Sequence, residues 1–366
     1  MKLVIQNTSR VWGGNEKWLA TLATGLIDRG HSVTVSCASG PVQHELITRR
    51  IPTSPFRPRG SIDFVSGLTF AAWLGLERPD VLLLTSWRPT AWAAAAARLA
   101  GVDRMVVRLG IVRDFPGRTP RGIALEKIDA LIVNSEEIRE TWLATAPRFP
   151  PEKVHVILNG VRSRLAERSA LSAMLRHEIG CASDTVLIGG AGHVAPRKGF
   201  DVLLRAFASA AVPGSRLVIL GGGDHRQALE TLARELGIAG SVTWLGHRLD
   251  GAGIIAGLDL FVLSSHNEGM ANVMLEAMAG GTPVIASDIS GVRRALRQAG
   301  ERPAAGWIVA PGDADELATA IRAAAVALRE DRQAVSQLAG EAHWRAENWF
   351  SPARMIDECE KILFGA

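Results

Sequence analysis

Two acids and two cations in the second half of the chain have the spacing to work on a charged ligand. Glu268 and Glu276 lie in Ser264-Ser265-His266-Asn267-Glu268-Gly269-Met270-Ala271-Asn272-Val273-Met274-Leu275-Glu276-Ala277-Met278-Ala279, with seven residues between them. The apolar run ending in Phe261-Val262-Leu263 predicts a buried parallel strand, a polar turn follows it, and apolar residues at helical spacing begin near Asn272. Glu268 then falls in a loop at a helix entrance, where unpaired backbone N–H groups and the helix dipole favour anions. Glu276 falls one or two turns down the helix. One carboxylate addresses one part of a ligand at the mouth of the strand while the other meets a second part, and in open parallel sheets that mouth is where ligands bind. The plainer alternative is two solvated helix acids, one of them favoured by the dipole.

The cations are Arg197 and Lys198, followed by Gly199. A buried strand over 185–188 leads into Gly189-Gly190-Ala191-Gly192, and a helix opens at Phe200. Within this run Gly190-x-Gly192-x-x-Ala195 spells the dinucleotide fingerprint, so a hydride-transfer enzyme has to be weighed. The next strand, 216–220, ends in Gly221-Gly222-Gly223 and offers no acid for an adenosine ribose. Pro196 and the two cations also occupy the place where that fingerprint needs a tight helix start. A diphosphate clamp suits the residues better: an Arg fork binds two phosphate oxygens and Lys supplies a compact point charge. Asp313-Ala314-Asp315 matches a metal-binding pair by letters, but it follows Pro311-Gly312 and precedes a helical pattern. Helix capping accounts for it, and no metal is assigned.

The elements that must position these groups come in two similar sets. In the first half, 2–6 reads as a short buried strand, and Gly13-Gly14 makes a turn before an amphipathic helix with Trp18, Leu19, Leu22, Leu26 and Ile27 on its apolar side and Gly30 as its stop. Two adjacent glycines let a phosphate approach the backbone. Strands follow at 31–37, 81–86, 105–110, 130–133 and 154–158, with helices at 63–77 and 91–100. A loop carrying Pro41, Pro52, Pro55 and Pro58 separates the second strand from the first of these helices. A charged loop after Leu109 holds Arg113, Asp114, Arg118 and Arg121, either an acceptor surface or a solvated loop. The Arg-rich stretch 162–183 reads as a linker with a connecting helix. The second set adds strands at 242–246, 281–287 and 306–309, and a final helix at 355–364.

Composition bounds the rest. At 366 residues and 47% hydrophobic content, the expectation is a two-domain α/β enzyme. Cys37, Cys181 and Cys359 are too scattered for a disulfide framework or metal cluster, which points to a reducing compartment. The three apolar residues before Gln6 are too few for a signal-peptide core, so a cytoplasmic location is expected. No segment reaches 18 uninterrupted apolar residues. A net charge of +4, with six lysines and no Arg cluster interleaved with aromatics, argues against nucleic acid and is compatible with touching an acidic membrane surface.

The stretch 264–279 resembles the Glu-x7-Glu signature of the retaining nucleotide-sugar glycosyltransferases of family four, and Gly13-Gly14-Asn15-Glu16 and Arg197-Lys198-Gly199 resemble two further motifs of that family. The resemblance implies the GT-B architecture: an α/β fold of two Rossmann-like parallel-sheet domains facing across a cleft. The boundaries expected are 1–165 for the acceptor side, 166–345 for the donor side, and 346–366 for a helix crossing back to the first domain. It further implies a nucleoside diphosphate sugar as donor substrate, no cofactor, and a glycan or lipid-linked acceptor; the basic charge adds the expectation of peripheral contact at the inner membrane surface. Residue by residue, Arg197, Lys198 and Glu268 are the expected catalytic groups, with Glu268 facing the sugar and Glu276 the ribose. Gly13, Gly14, Gly192, Leu245, Gly269, Met270, Ala271 and Asn272 complete the expected donor site, Leu245 from a segment resembling the family's base-binding strand end. Where the family often has a His facing the sugar, this chain has Arg108, assigned with Arg113 to the acceptor side. A nucleotide-sugar epimerase of the same architecture and a non-catalytic partner subunit are the remaining alternatives, the second opposed by the intact clamp.

Overall fold

The computed structural model describes residues 1–56, 64–86 and 89–365 and divides into two compact units. Unit 1 holds Met1–Gly160 and Pro352–Ala366; unit 2 holds Val161–Ser351. In unit 1 the strands β1 (Lys2–Gln6), β2 (Ser32–Cys37), β3 (Thr53–Pro55), β4 (Val81–Leu84), β5 (Arg104–Leu109), β6 (Ala130–Val133) and β7 (Val154–Val156) form one parallel sheet in the order β3-β2-β1-β4-β5-β6-β7. In unit 2 β8 (Val186–Ala191), β9 (Ser215–Leu220), β10 (Val242–Gly246), β11 (Leu260–Leu263), β12 (Val284–Ser287) and β13 (Trp307–Val309) form a second, in the order β10-β9-β8-β11-β12-β13. Strands such as β4, β6 and β11 are buried along their whole length, because helices cover both faces of a parallel sheet and every side chain must be apolar.

Alternation sorts the side chains of β1 onto two cores. Leu3 and Ile5 join Trp18, Leu19, Leu22 and Leu26 of the helix Gly14–Asp28 on one face, and Val4 joins Phe70, Leu74 and Trp92 on the other. Met355, Cys359 and Leu363 of the C-terminal helix Pro352–Phe364 belong to the first of these cores. Gly25 gives that helix room, since a Cβ there would come within 2.3 Å of Ile356 Cδ1.

Three expectations need adjusting. The cut expected at 346 falls inside the helix Arg332–Trp349, whose buried Val335, Ala339, Ala342 and Arg345 tie it to unit 2; the chain leaves unit 2 at Ser351. The first boundary lies at Gly160, because Arg168 at the head of the helix Arg168–Glu178 bonds Thr282 Oγ1 at 2.8 Å and the Leu258 carbonyl at 3.1 Å, drawing the linker into unit 2. The proline-rich loop is partly regular: Pro41 opens the helix Pro41–Thr48, where its fixed φ suits the first turn, and Pro55 ends β3. Pro58 and Asp63 lie outside the described residues, as do the remaining positions of 57–63.

Candidate active site

In unit 2, β8 and β11 are neighbours, while β9 continues the sheet on the other side of β8. The strand order reverses at this pair, and their carboxyl ends open the crevice where α/β sheets take ligands. Both expected motifs stand there. After β8 the chain runs through Gly192 into a short turn, Pro196–Lys198, and then Gly199 starts the helix Phe200–Ala210. Gly199 is required: its φ is +60°, and a Cβ would sit 2.1 Å from the Ser264 carbonyl oxygen. This close approach seats the clamp turn on the loop after β11. Ser264 Oγ donates to the Lys198 carbonyl at 3.1 Å, and the His266 N–H donates to the Arg197 carbonyl at 2.9 Å.

The charges meet on Glu268. Lys198 Nζ pairs directly with Glu268 Oε1, Arg197 stands 3.4 Å from the same oxygen, and Ser265 Oγ donates to it at 3.2 Å. The Lys198 and Glu268 side chains are 10% and 11% exposed, whereas Arg197 is 52% exposed, so the lysine is the buried cation and the arginine the solvent-facing one. An ammonium carries three donors. One serves Glu268, leaving two for anionic oxygens. Gly192 lies beneath the lysine stem, where a Cβ would be 3.3 Å from Lys198 Cε.

Gly269, Met270 and Ala271 are buried and Asn272 is half-buried, so this entrance offers backbone more than side chain. Ala271 caps the helix Asn272–Ala279 without a side-chain acceptor, and Glu276 lies half-buried one turn further along. Leu245 sits where the β10 register against β9 skips a residue, a bulge that re-aims the strand end. Asp313 Oδ1 accepts the N–H groups of Asp315 and Glu316 at 3.0 and 2.9 Å, capping the helix Ala314–Glu330.

In unit 1 the glycine turn has a support that the sequence reading passed over. Glu16 is buried, and its Oε2 accepts from the Gly13 N–H at 3.1 Å while Asn7 and Asn15 donate to its Oε1 at 3.0 and 3.1 Å. An acid three residues past a helix N-cap was the available signal. Arg108 requires correction. It is 4% exposed, its Nη1 donates to Asn15 Oδ1 at 2.6 Å and its Nη2 to Asn159 Oδ1 at 3.1 Å, and its guanidinium stacks over Trp18 at 4.1 Å. Both ends of its fork are engaged inside unit 1, so it does not present an acceptor surface. Burial pulls its pKa down to about 10, with Cys359 and Glu16 pulling the other way, and burial pushes the Cys359 thiol up to about 12. Arg113 is exposed on the loop after β5, and that loop ends where Thr119 caps the helix Pro120–Leu125, taking Arg121 into the helix.

Two family models match the chain in sequence, Glycosyltransferase Family 4 over residues 12–164 and Glycosyl transferases group 1 over residues 175–339. A D-inositol 3-phosphate glycosyltransferase of Saccharomonospora viridis is 30% identical over 385 aligned positions, covering 92% of this chain and 86% of that one. The chain belongs to this glycosyltransferase family. A lipopolysaccharide core biosynthesis glycosyltransferase of Rhizobium meliloti, LpsE, is 28% identical over 96% of both chains. Among solved structures, the Anabaena protein HepE in complex with UDP-glucose superposes with a TM-score of 0.85 over the full length of both chains at 21% identity, which shows the shared fold. The glycosyltransferase is thus of the GT-B class, with two parallel-sheet α/β units.

Proposed function

We propose that this glycosyltransferase moves a sugar, with retention of anomeric configuration, from a UDP- or GDP-sugar to an acceptor hydroxyl of a cell-envelope glycan, glycolipid or lipopolysaccharide. The observation that carries the reading is the buried Lys198, paired with Glu268 and flanked by the exposed Arg197, at the reversal point of a parallel sheet. As the bond from the sugar's anomeric carbon to the phosphate oxygen breaks, charge develops on the leaving diphosphate, and these two cations stabilise it. No metal enters this account. The acceptor oxygen bonds to the same face of the anomeric carbon, and its proton passes to the departing phosphate oxygen. Glu268 orients the sugar through its hydroxyls and Glu276 holds the ribose. Gly192, Leu245 and the backbone from Gly269 to Asn272 complete the donor contacts, with Gly13 and Gly14 meeting the donor phosphates from the turn after β1 and Arg113 on the acceptor side.

The lipopolysaccharide assignment of LpsE and the UDP-glucose bound by HepE support the choice of acceptor and donor class. The chain would work at the cytoplasmic face of the membrane; no helix among the described residues is long and apolar enough to cross one. The test is a transfer assay with UDP-glucose and GDP-mannose against a lipopolysaccharide core oligosaccharide, with the product's anomeric configuration read by NMR. Retention supports the proposal. Inversion, or conversion of the donor sugar without any acceptor, contradicts it.

A further inference from the structure

We infer that Arg108 is a positioning residue that holds the Gly13-Gly14 turn in its working shape by clamping Asn15 and Asn159 together. This rests on the proposed reading in which that turn meets the donor phosphates. The geometry forms a continuous chain of hydrogen bonds. Arg108 Nη1 donates to Asn15 Oδ1 at 2.6 Å, Asn15 Nδ2 donates to Glu16 Oε1 at 3.1 Å, and Glu16 Oε2 accepts from the Gly13 N–H at 3.1 Å. Asn7 and Thr85 join from the ends of β1 and β4: Asn7 Nδ2 reaches Thr85 Oγ1 at 3.1 Å, and Asn15 Nδ2 reaches the Thr85 carbonyl at 3.3 Å. These are the two strands between which the order of the first sheet reverses. The turn therefore owes its shape to side chains brought together from three strand ends.

Arg108 supplies the part of this network that no other residue type replaces. Its planar fork reaches two amide oxygens from one buried point, and its flat face lies on Trp18 at 4.1 Å. The other Nη bond goes to Asn159, two residues before unit 1 gives way to unit 2 at Val161. The glycine turn and the segment that leaves unit 1 are thus fixed by the same guanidinium. Arg108 is 4% exposed, and it reaches the turn through Asn15. Burying a guanidinium is costly unless its hydrogens are satisfied, and the pKa drawn down to about 10 reflects that cost. The network retains it in spite of this.

Two variants test the inference. Arg108→Lys keeps the charge and gives up the two-pronged reach; Asn15→Ala, at a half-buried position, breaks the link on the turn's side while leaving the Arg108–Asn159 bond and the Trp18 stack. Both are assayed well below their melting midpoints, per mole of folded enzyme, with amide hydrogen exchange followed at residues 13–17 in the substrate-free protein. The expected result is a kcat at least tenfold lower in each, a KM for the nucleotide sugar within about threefold of wild type, and faster exchange at residues 13–17. A purely structural role would lower the midpoint and leave kcat unchanged. An unchanged kcat in Asn15→Ala, or unchanged exchange at 13–17 in both variants, overturns the inference. Should the wild-type chain turn over no nucleotide sugar, the functional reading falls, while the exchange arm still decides whether Arg108 holds the turn.

Discussion

Lys198 is the residue on which the chemistry turns. Its ammonium is held at 10% exposure by Gly192 below and Glu268 beside, and in the proposed mechanism it is asked to do more for the leaving diphosphate than for the folded state. Lys198→Ala is expected to lower kcat by about 10²- to 10³-fold, the usual cost of losing one preorganised electrostatic contact. Its stability should fall by only about 1–2 kcal/mol, the penalty for a weakened buried pairing, because Arg197 and Ser265 still face Glu268. Turnover and a melting curve on the same sample check this; a variant that loses stability but not turnover would remove Lys198 from the mechanism. The types and order of Arg197, Lys198, Glu268 and Glu276 were legible in the sequence. The pairing of Lys198 with Glu268 was not, since 70 residues separate them and only the adjacency of β8 and β11 brings them together. The surroundings of Arg108 were not legible either: it was placed on the acceptor side because it stands where the family often has a His, and nothing in the sequence shows that Asn15, Asn159 and Trp18 enclose it.

At the scale of elements, the clamp is a product of backbone contact between two loops. Gly199→Ala places a Cβ 2.1 Å from the Ser264 carbonyl and forces a residue with a side chain into φ +60°. The strain of the left-handed conformation costs about 1–3 kcal/mol, and the clash adds displacement of the turn that carries Arg197 and Lys198. Gly199→Ala should therefore lower both the melting midpoint and the affinity for UDP; a variant that binds UDP normally would show that the seating of this turn on Ser264 does not matter. Strand–glycine–helix sequences were readable because buried parallel strands are continuous apolar runs, as in β6 and β11. The helix Arg332–Trp349 was harder. It is polar over much of its length, and what fixes it is Arg345, fully buried and bonded to the carbonyls of Ala295, Arg297 and Pro303, a type and partner set that periodicity does not reveal.

Across the whole molecule, the C-terminal helix Pro352–Phe364 makes unit 1 discontinuous in sequence, so its folding depends on the last residues of the chain. Met355, Cys359 and Leu363 are fully buried, Met355 and Leu363 contributing about 1.5–3 kcal/mol each, so a chain ending at Ser351 should lose the cooperative unfolding of unit 1 in calorimetry. The polar side of the same contact responds to pH. Glu360 pairs with His31 at 2.7 Å and with Arg29, and these hydrogen bonds, His31 first, hold its carboxyl below the usual carboxylate range. A lowered folded-state value means the contribution is present above the ordinary carboxylate pKa and is lost as pH falls through the folded-state value. Glu360→Gln should cost about 0.5–1 kcal/mol at neutral pH, and less as the solution is acidified; a gap in melting midpoint that does not narrow would contradict the assignment.

The donor site itself is tested most directly by titrating UDP, GDP and NAD into the whole chain, wild type against Lys198→Ala and Glu276→Ala, by isothermal calorimetry. The account predicts saturable binding of one of these diphosphates to the wild type, weakened at least tenfold in each variant, equivalent to about 1.4 kcal/mol. Equal affinity in all three proteins, or binding of NAD in place of either diphosphate, would contradict it.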